Sequence, residues 1–414
     1  MFVTDDQPIG TMKAMPKTRR WFARDGVTLT NMFATTPVCC PARATLMTGD
    51  YSHNHGVLTN EDAELLNQDN TLQAHLQSVG YRTAVFGKYL NLWQGDPPYF
   101  DEWAVLKGRF RYFDTRWDVD GERKLVPGYW TDSVADFATN FVAGAEEDDP
   151  RPWFMLVTPP APHSPYLPAP RHENAAVPVP PESPGVAEAD KSDKPPYVQE
   201  ATASPNALVS VPRQQQRSLL AVDDLVDEVM RALQQHGEND TLAFFVSDNG
   251  YLWGEHGLIG AFMSKGNPYT RSVRVPAYMR WPDRAPEGST DGRLTSLGDI
   301  AVTAFDAAGL DVDRDGKSLL ESWRRARILL EYWQKAGHHR STVPDWAALR
   351  TRGYSYVEYY ADDRVVFREY YDLRADPHEL DNLLGDDDES NDPDVEALSA
   401  RLSSDRKCSG ETCP

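Results

Sequence analysis

The sequence predicts an α/β protein with a largely parallel central sheet. Three observations predict it. Helix-period segments closed by glycine lead into short continuous apolar runs. That order recurs along the chain. Polar residues stand directly after the apolar runs, at the carboxyl ends of strands, where open α/β sheets bind ligands.

Taken in chain order, Phe2-Val3 is the first run. It is short against a usual strand of ~5 to 6 residues, so this strand is expected to start upstream of Met1. Asp69 or Asn70 can cap a helix carrying Leu72, Leu76 and Val79 on one side; Gly80 stops it and Thr83 to Phe86 follows as a strand. Trp153 to Val157 is the third run. Arg213 to His236 carries Leu219, Val222, Val226, Val229 and Leu233 at helical spacing, ends at Gly237 and feeds Thr241 to Ser247. Twelve of the 31 prolines lie between Pro159 and Pro196, where fixed φ and the missing N–H exclude helix and central strand, so this stretch reads as a long surface excursion.

The 414 residues suffice for a full core, and 40% hydrophobic with 25% charged residues is the composition of a globular protein. Forty-two basic against 63 acidic residues leave a net charge of -21, a field that disfavours nucleic acid and anionic membranes as partners. An anionic substrate therefore needs a local cationic site. No run reaches the ~18 apolar residues of a membrane helix, and no apolar leader stands near Met1. The charge is uneven: residues 355–414 hold six basic and seventeen acidic side chains, about half of the whole imbalance.

Four runs end in residues with chemistry. Asp5-Asp6 follow the first, Lys88 the second, a loop with His163 the third and Asp248-Asn249 the fourth. Asp5, Asp6, Asp248 and Asn249 are hard oxygen donors, a set suited to Ca²⁺ or Mg²⁺ rather than a soft metal; as Asp-Asp and Asp-Asn-Gly they also read as ordinary turn residues. A lone loop histidine such as His163, or a lysine in a turn such as Lys265, is ordinarily solvated. Cys39-Cys40 reads as a buried cysteine pair or as a reactive segment; a helix starting there would set Arg43 one turn beyond Cys39, on the same face, at an anion-binding helix terminus. His53, His55 and His256 flank these segments and are expected at the pocket mouth. Cys408 and Cys413 are either bridged or free.

Cys39-Cys40-Pro41-Ala42-Arg43 resembles the Cys-x-Pro-x-Arg signature of the type I sulfatases. Thr4-Asp5-Asp6-Gln7, Thr48-Gly49 with Tyr51, Gly87-Lys88, Ala161-Pro162-His163-Ser164-Pro165, Ser247-Asp248-Asn249-Gly250, Lys265 ahead of Val275-Pro276, and Tyr371-Asp372-Leu373 through Asp376-Pro377 follow in that family's order. Gly87-Lys88-Tyr89-Leu90-Asn91 and Thr158 to Pro165 are most similar to the N-acetylglucosamine-6-sulfatase branch. Leu90 stands where many sulfatases have histidine, and Ala42 where serine is commonest.

The resemblance implies an alkaline-phosphatase-like α/β fold, with a catalytic domain over 1–335 and a smaller α+β subdomain over 336–414. It implies that a formylglycine-generating enzyme converts Cys39 to formylglycine, whose hydrate attacks sulfur and passes its proton toward Asp248. Asp5, Asp6, Asp248, Asn249 and residue 39 are the implied Ca²⁺ ligands; Arg43, Lys88 and Lys265 stabilise the sulfuryl charge, His163 protonates the leaving oxygen, and Asn91 and His256 contact substrate. The activity implied is hydrolysis of a sulfate monoester, on a 6-sulfated amino sugar or an aryl sulfate. Two other readings stay open: a phosphomonoester, phosphodiester or phosphonate ester hydrolase of the same superfamily, and a noncatalytic protein that binds sulfated ligands with Cys39 unconverted. Relatives are secreted or periplasmic, whereas this chain shows no signal peptide, so the cytoplasm is the other expected location.

Overall fold

The apolar runs read as strands form and lie side by side. The structure is a computed structural model and describes residues 1–414 except 108–109, 149, 180–182, 238–239, 262, 335–341 and 387. In chain order the strands that build the two larger sheets are β1 (Phe2–Thr4), β2 (Val27–Leu29), β3 (Arg82–Gly87), β4 (Glu102–Leu106), β5 (Phe113–Val119), β6 (Glu122–Tyr129), β7 (Trp153–Thr158), β8 (Ala243–Ser247), β9 (Ala277–Arg280), β10 (Ser289–Asp291), β11 (Ile328–Tyr332), β12 (Asp345–Arg350), β13 (Tyr354–Ala361) and β14 (Arg364–Asp372). The first ten make one sheet in the order β10-β2-β9-β8-β1-β7-β3-β4-β5-β6. Its centre, β8-β1-β7-β3, is wholly parallel, with Thr4 opposite Ser247, Phe2 opposite Val157 and Gly87 opposite Thr158. This register brings the carboxyl ends of all four runs to one edge. Antiparallel pairs appear only toward the flanks, where β9 joins β8 and β2, and β5 joins β4 and β6.

Helices cover both faces, which is why the central strands are apolar throughout. Alternate residues point to opposite sides. Phe2, Phe86, Val157 and Phe245 meet α3 (Trp130–Asp148) and α4 (Pro205–Gln235), while Val3, Val85, Leu156 and Val246 meet α1 (Cys39–Thr48) and α5 (Leu297–Ala307). The helix expected after Asp69 or Asn70 is α2 (Leu72–Ser78); its N-cap is Thr71, because residues 68–70 form their own 3-10 turn. The helix expected from Arg213 starts eight residues earlier, at Pro205. Ser204 caps it by accepting from Ala207 N at 3.2 Å and Pro205 fills the first position, start signals strong enough that Pro212 lies inside the helix.

Strands β11 to β14 form a separate antiparallel sheet, which α6 (Val395–Asp405) covers through Leu402. The boundary expected between 335 and 336 lies outside the described residues; the second sheet already includes β11, at Ile328. Cys408 and Cys413 are joined as a disulfide.

Candidate active site

α1 begins at Cys39 and stops at Gly49, and all of its side chains are buried. Its N-cap, Val38, offers no side-chain cap. The Cys40 N–H is instead taken by Asn60 Oδ1 at 2.9 Å, from a separate turn. The sequence reading missed Asn60, and the signal that could have found it is this missing cap: a helix starting without Ser, Thr, Asp or Asn needs an acceptor from elsewhere. One turn on, Arg43 lies on the face of Cys39 as expected.

Around this terminus the sheet edge delivers its carboxylates. One oxygen each from Asp5, Asp6 and Asp248 lie within 4.8 Å of one another, and all three residues are buried. Asp6 adopts φ 66°, the left-handed region that aspartate tolerates better than most residues. Its N–H donates to Asp248 Oδ1 at 3.2 Å, and its Oδ1 accepts from Asn249 Nδ2 at 2.8 Å.

Three cations meet the three carboxylates. Arg43 Nε donates to Asp248 Oδ2 at 2.9 Å, and its Nη2 lies 3.7 Å from Asp5 Oδ2. Lys88 Nζ donates to Asp5 Oδ2 at 2.5 Å. Lys265 Nζ donates to Asp6 Oδ1 at 2.7 Å and to Cys39 Sγ at 3.2 Å, and Cys39 Sγ faces Asp5 Oδ1 at 3.3 Å. Lys88 reaches inward because the chain turns sharply at Gly87, where φ is 121° and a Cβ would sit 2.1 Å from Thr158 O, so only glycine fits. The Lys265 loop rests on the second sheet: Trp346 Nε1 donates to Gly266 O at 2.7 Å, and Tyr269 donates its hydroxyl to Glu369 at 2.9 Å.

His163 closes the ring. One atom each from Asp5, Cys39 and His163 lie within 4.8 Å of one another, and His163 Nε2 is 3.8 Å from Asp6 Oδ2. Its Nδ1 faces Ser164 O at 2.7 Å; a carbonyl only accepts, so Nδ1 carries the proton and Nε2 is the free valence.

The charges shape the acid–base properties. Burial pushes Asp5 up, but Lys88, His163, Arg43 and Lys265 together outweigh it and hold the carboxyl well below the usual range. Asp248 goes the other way, to about 6, through burial and the nearby Asp5. Burial and Asp5 raise the Cys39 thiol to about 12, so it is a neutral thiol, not a thiolate nucleophile, at pH 7. Burial works against the Lys265 ammonium, but Asp6, Cys39 and Asp5 hold it well above the lysine range. Burial lowers His163 despite Asp5 and Asp6.

The donor set fits a hard divalent cation. Three carboxylates crowd together, and Asn249 Oδ1 is buried with no hydrogen-bond partner, so an acceptor is left for an ion to satisfy. Cys39 belongs to the same cluster, but its sulfur is soft and fits such an ion only after conversion to an oxygen group.

Not every expected residue joins. His256 is not at the pocket mouth: it is buried, with φ 58°, its Nδ1 is held by Glu188 at 2.7 Å and its ring packs on Tyr269 at 4.2 Å. His53 is taken by Glu331 at 2.8 Å and the Cys408 carbonyl at 3.0 Å, and His55 by Thr45 at 3.1 Å. Asn91 follows Lys88 but none of its hydrogen bonds reaches the cluster; its backbone reaches the Cys40 sulfur and its Oδ1 is buried without a partner. Leu90 packs into the apolar core, so that position holds no base.

Comparison with known proteins fits this geometry. The model of the sulfatase family matches residues 6–310, and the model described as N-sulphoglucosamine sulphohydrolase, C-terminal, matches residues 254–407. The chain is 29% identical to the N-acetylglucosamine-6-sulfatase of Capra hircus, over 99% of this chain and 82% of that protein. It is 29% identical to the N-acetylglucosamine-6-O-sulfatase of Bacteroides thetaiotaomicron, over 88% and 77%. A solved structure in complex with its substrate, D-glucosamine-2-N,6-O-disulfate, superposes with a TM-score of 0.82 at 25% identity, over 97% of this chain and 96% of that one. The alkaline-phosphatase-like sheet, the ordered motifs and a match over most of the length agree: the chain belongs to the sulfatase family and is a sulfuric ester hydrolase.

Proposed function

We propose that the protein removes the 6-sulfate of an N-substituted glucosamine, with formylglycine at position 39 and a bound Ca²⁺. The observation that carries this reading is the convergence of Arg43, Lys88 and Lys265 on Cys39, Asp5, Asp6 and Asp248. The relatives that act on N-acetylglucosamine 6-sulfate and the complex with a glucosamine disulfate support the choice of sugar.

Three carboxylates and three cations cancel, so the protein side chains alone exert little net pull on an anion. A divalent ion held by Asp5, Asp6, Asp248 and Asn249 supplies the missing positive charge. Formylglycine supplies an oxygen nucleophile that eliminates sulfate afterwards, a route a serine or cysteine ester lacks. The chain does the rest. Arg43 Nη2, buried without a hydrogen-bond partner, has donors free for a sulfuryl oxygen, and Lys88 and Lys265 stabilise charge in a site organised beforehand. Asp248, raised to about 6, is mostly ionised at neutral pH and can take up a proton there. His163 Nε2, unprotonated in the neutral ring, first takes up a proton, and the imidazolium then gives it to the leaving sugar oxygen. Cys39 is 1% exposed, so the modifying enzyme must reach it before α1 folds. The Cys408–Cys413 disulfide supports maturation in an oxidising compartment outside the cytoplasm.

The test pairs peptide mass spectrometry of residue 39 with hydrolysis of N-acetylglucosamine 6-sulfate before and after chelation. Expected are an aldehyde at 39 and turnover lost on chelation and restored by Ca²⁺. A converted enzyme that ignores sulfate esters and cleaves phosphate or phosphonate esters overturns the proposal; a converted enzyme that binds the sugar sulfate without turnover makes it a binding protein. The role of His163 has its own signature. His163→Ala is expected to slow the sugar sulfate by roughly 10²- to 10⁴-fold but nitrophenyl sulfate by less than about tenfold, since a nitrophenolate leaves without a proton. Equal losses on both esters would remove the proton-donor role.

A further inference from the structure

A second cationic site lies away from the catalytic cluster. A groove of about 1220 Å³ runs between edge strand β10 and the hairpin that joins β12 to β13, and five arginines against two aspartates line it. On a chain of net charge -21 that local excess is unusual. Two of the five are committed: Arg293 pairs with Asp291 at 2.7 Å and Arg325 with Asp299 at 2.6 Å. Arg324, Arg352 and Arg374 are exposed, and none forms an ion pair with a carboxylate among the described residues. The Arg374 guanidinium lies over Gly353, 3.2 Å from where a Cβ would stand, and Arg352 donates to Gly292 O. Arg352 and Arg374 line the groove from the side of the second sheet, and Arg324, ahead of β11, lines it as well. One wall is a stacked aromatic pair, Tyr354 and Tyr370, with ring centroids 5.4 Å apart.

The groove is separate from the reacting ester. Trp346 marks the end of β12 that supports Lys265, and Arg350 the end that enters the hairpin; four residues of strand put about 13 Å between them. Free guanidinium forks suit sulfate and carboxylate groups, which they bind in a bidentate manner, and tyrosine faces suit the apolar faces of pyranose rings. We propose that this groove is an exosite for a sulfated glycan chain, gripping it at a point remote from the ester being cleaved. The choice of ligand rests on the sulfated-saccharide reading of the active site.

Titration of the full chain with a heparin-derived hexasaccharide tests the groove independently of turnover. Arg324→Ala/Arg352→Ala/Arg374→Ala is expected to weaken binding roughly tenfold or more and to flatten its dependence on salt. KM for a hexasaccharide substrate should rise while KM and kcat for N-acetylglucosamine 6-sulfate stay unchanged. Should the triple variant melt earlier than the parent, Arg324→Glu alone carries the test, because its guanidinium holds no other group in place. Unchanged hexasaccharide affinity overturns the proposal. So do equal affinity for the desulfated hexasaccharide, displacement by an equal concentration of inorganic sulfate, and tighter binding of a DNA duplex. A protein that binds the hexasaccharide through these arginines yet hydrolyses no sulfate ester keeps the groove and loses the active-site reading; active enzyme indifferent to the arginines does the reverse.

Discussion

Cys39→Ala is expected to lower kcat by about 10⁵-fold or more and to leave the fold intact. The side chain touches Asp5 Oδ1 and Lys265 Nζ through sulfur alone, and α1 keeps its backbone and its Asn60 cap without it. Loss of one buried sulfur costs about 1 kcal/mol or somewhat more. The large effect is chemical, because among the described residues no other thiol or hydroxyl side chain forms a contact with Asp5, Lys88, His163 or Lys265 at the position of Cys39 Sγ. Initial rates on N-acetylglucosamine 6-sulfate together with thermal melting decide the matter. Cys40→Ala serves as the matched control, since that thiol is buried in the apolar core beside Leu46 and Met47. A Cys39 variant with rates within tenfold of the parent would show that residue 39 does not react.

Arg43→Met is expected to remove activity and stability together. The guanidinium is the buried partner of Asp248 at 2.9 Å and of Asp5 at 3.7 Å. Methionine keeps the apolar stem and leaves the buried Asp248 carboxylate without its cation, which costs roughly 3–5 kcal/mol. The loss should depend on pH in the chelated protein. Asp248 already has its folded pKa raised to about 6 by burial and Asp5, against Arg43 and Lys88, and removing Arg43 raises it further. A carboxyl with a raised folded pKa is penalised above that pKa and binds its proton preferentially in the folded state below it. The deficit is therefore greatest at alkaline pH and shrinks as pH falls through the folded pKa of Asp248. Denaturant melts at several pH values measure this; a deficit that grows toward acid would contradict the pairing.

The chemistry at the sheet edge was legible because it is written locally. Asp5-Asp6, Lys88 and Asp248-Asn249 each follow an apolar run directly, so recognising the run places the side chain within two residues of a strand end. The α1 terminus was legible for the same reason, since Cys39 and Arg43 are one helical turn apart. His53, His55 and His256 were not. His256 and His53 sit close in sequence to site segments, yet their rings are claimed by Glu188 and Glu331, which lie 68 and 278 residues away. Starting α4 at Arg213 misses its first eight residues, because its start signals, Ser204 and Pro205, stand ahead of the apolar period.

By itself, the sequence determined the α/β class, the parallel centre of the sheet, and which oxygen donors and cations stand at its carboxyl edge. Periodicity and strand ends act over one to four residues, so they survive without a structure. The residues around Lys265 did not by themselves place it in the cluster, as the family resemblance did; the tertiary structure shows what brings it there. Its loop is held by Trp346 on Gly266, 80 residues away, and by Glu369 on Tyr269, 100 residues away. Gly266, at φ 78°, fits against the Tyr332 ring, where a Cβ would approach to 2.8 Å. A turn lysine is solvated by default; here a second sheet, folded from the far end of the chain, removes it from water and turns it onto Asp6 and Cys39.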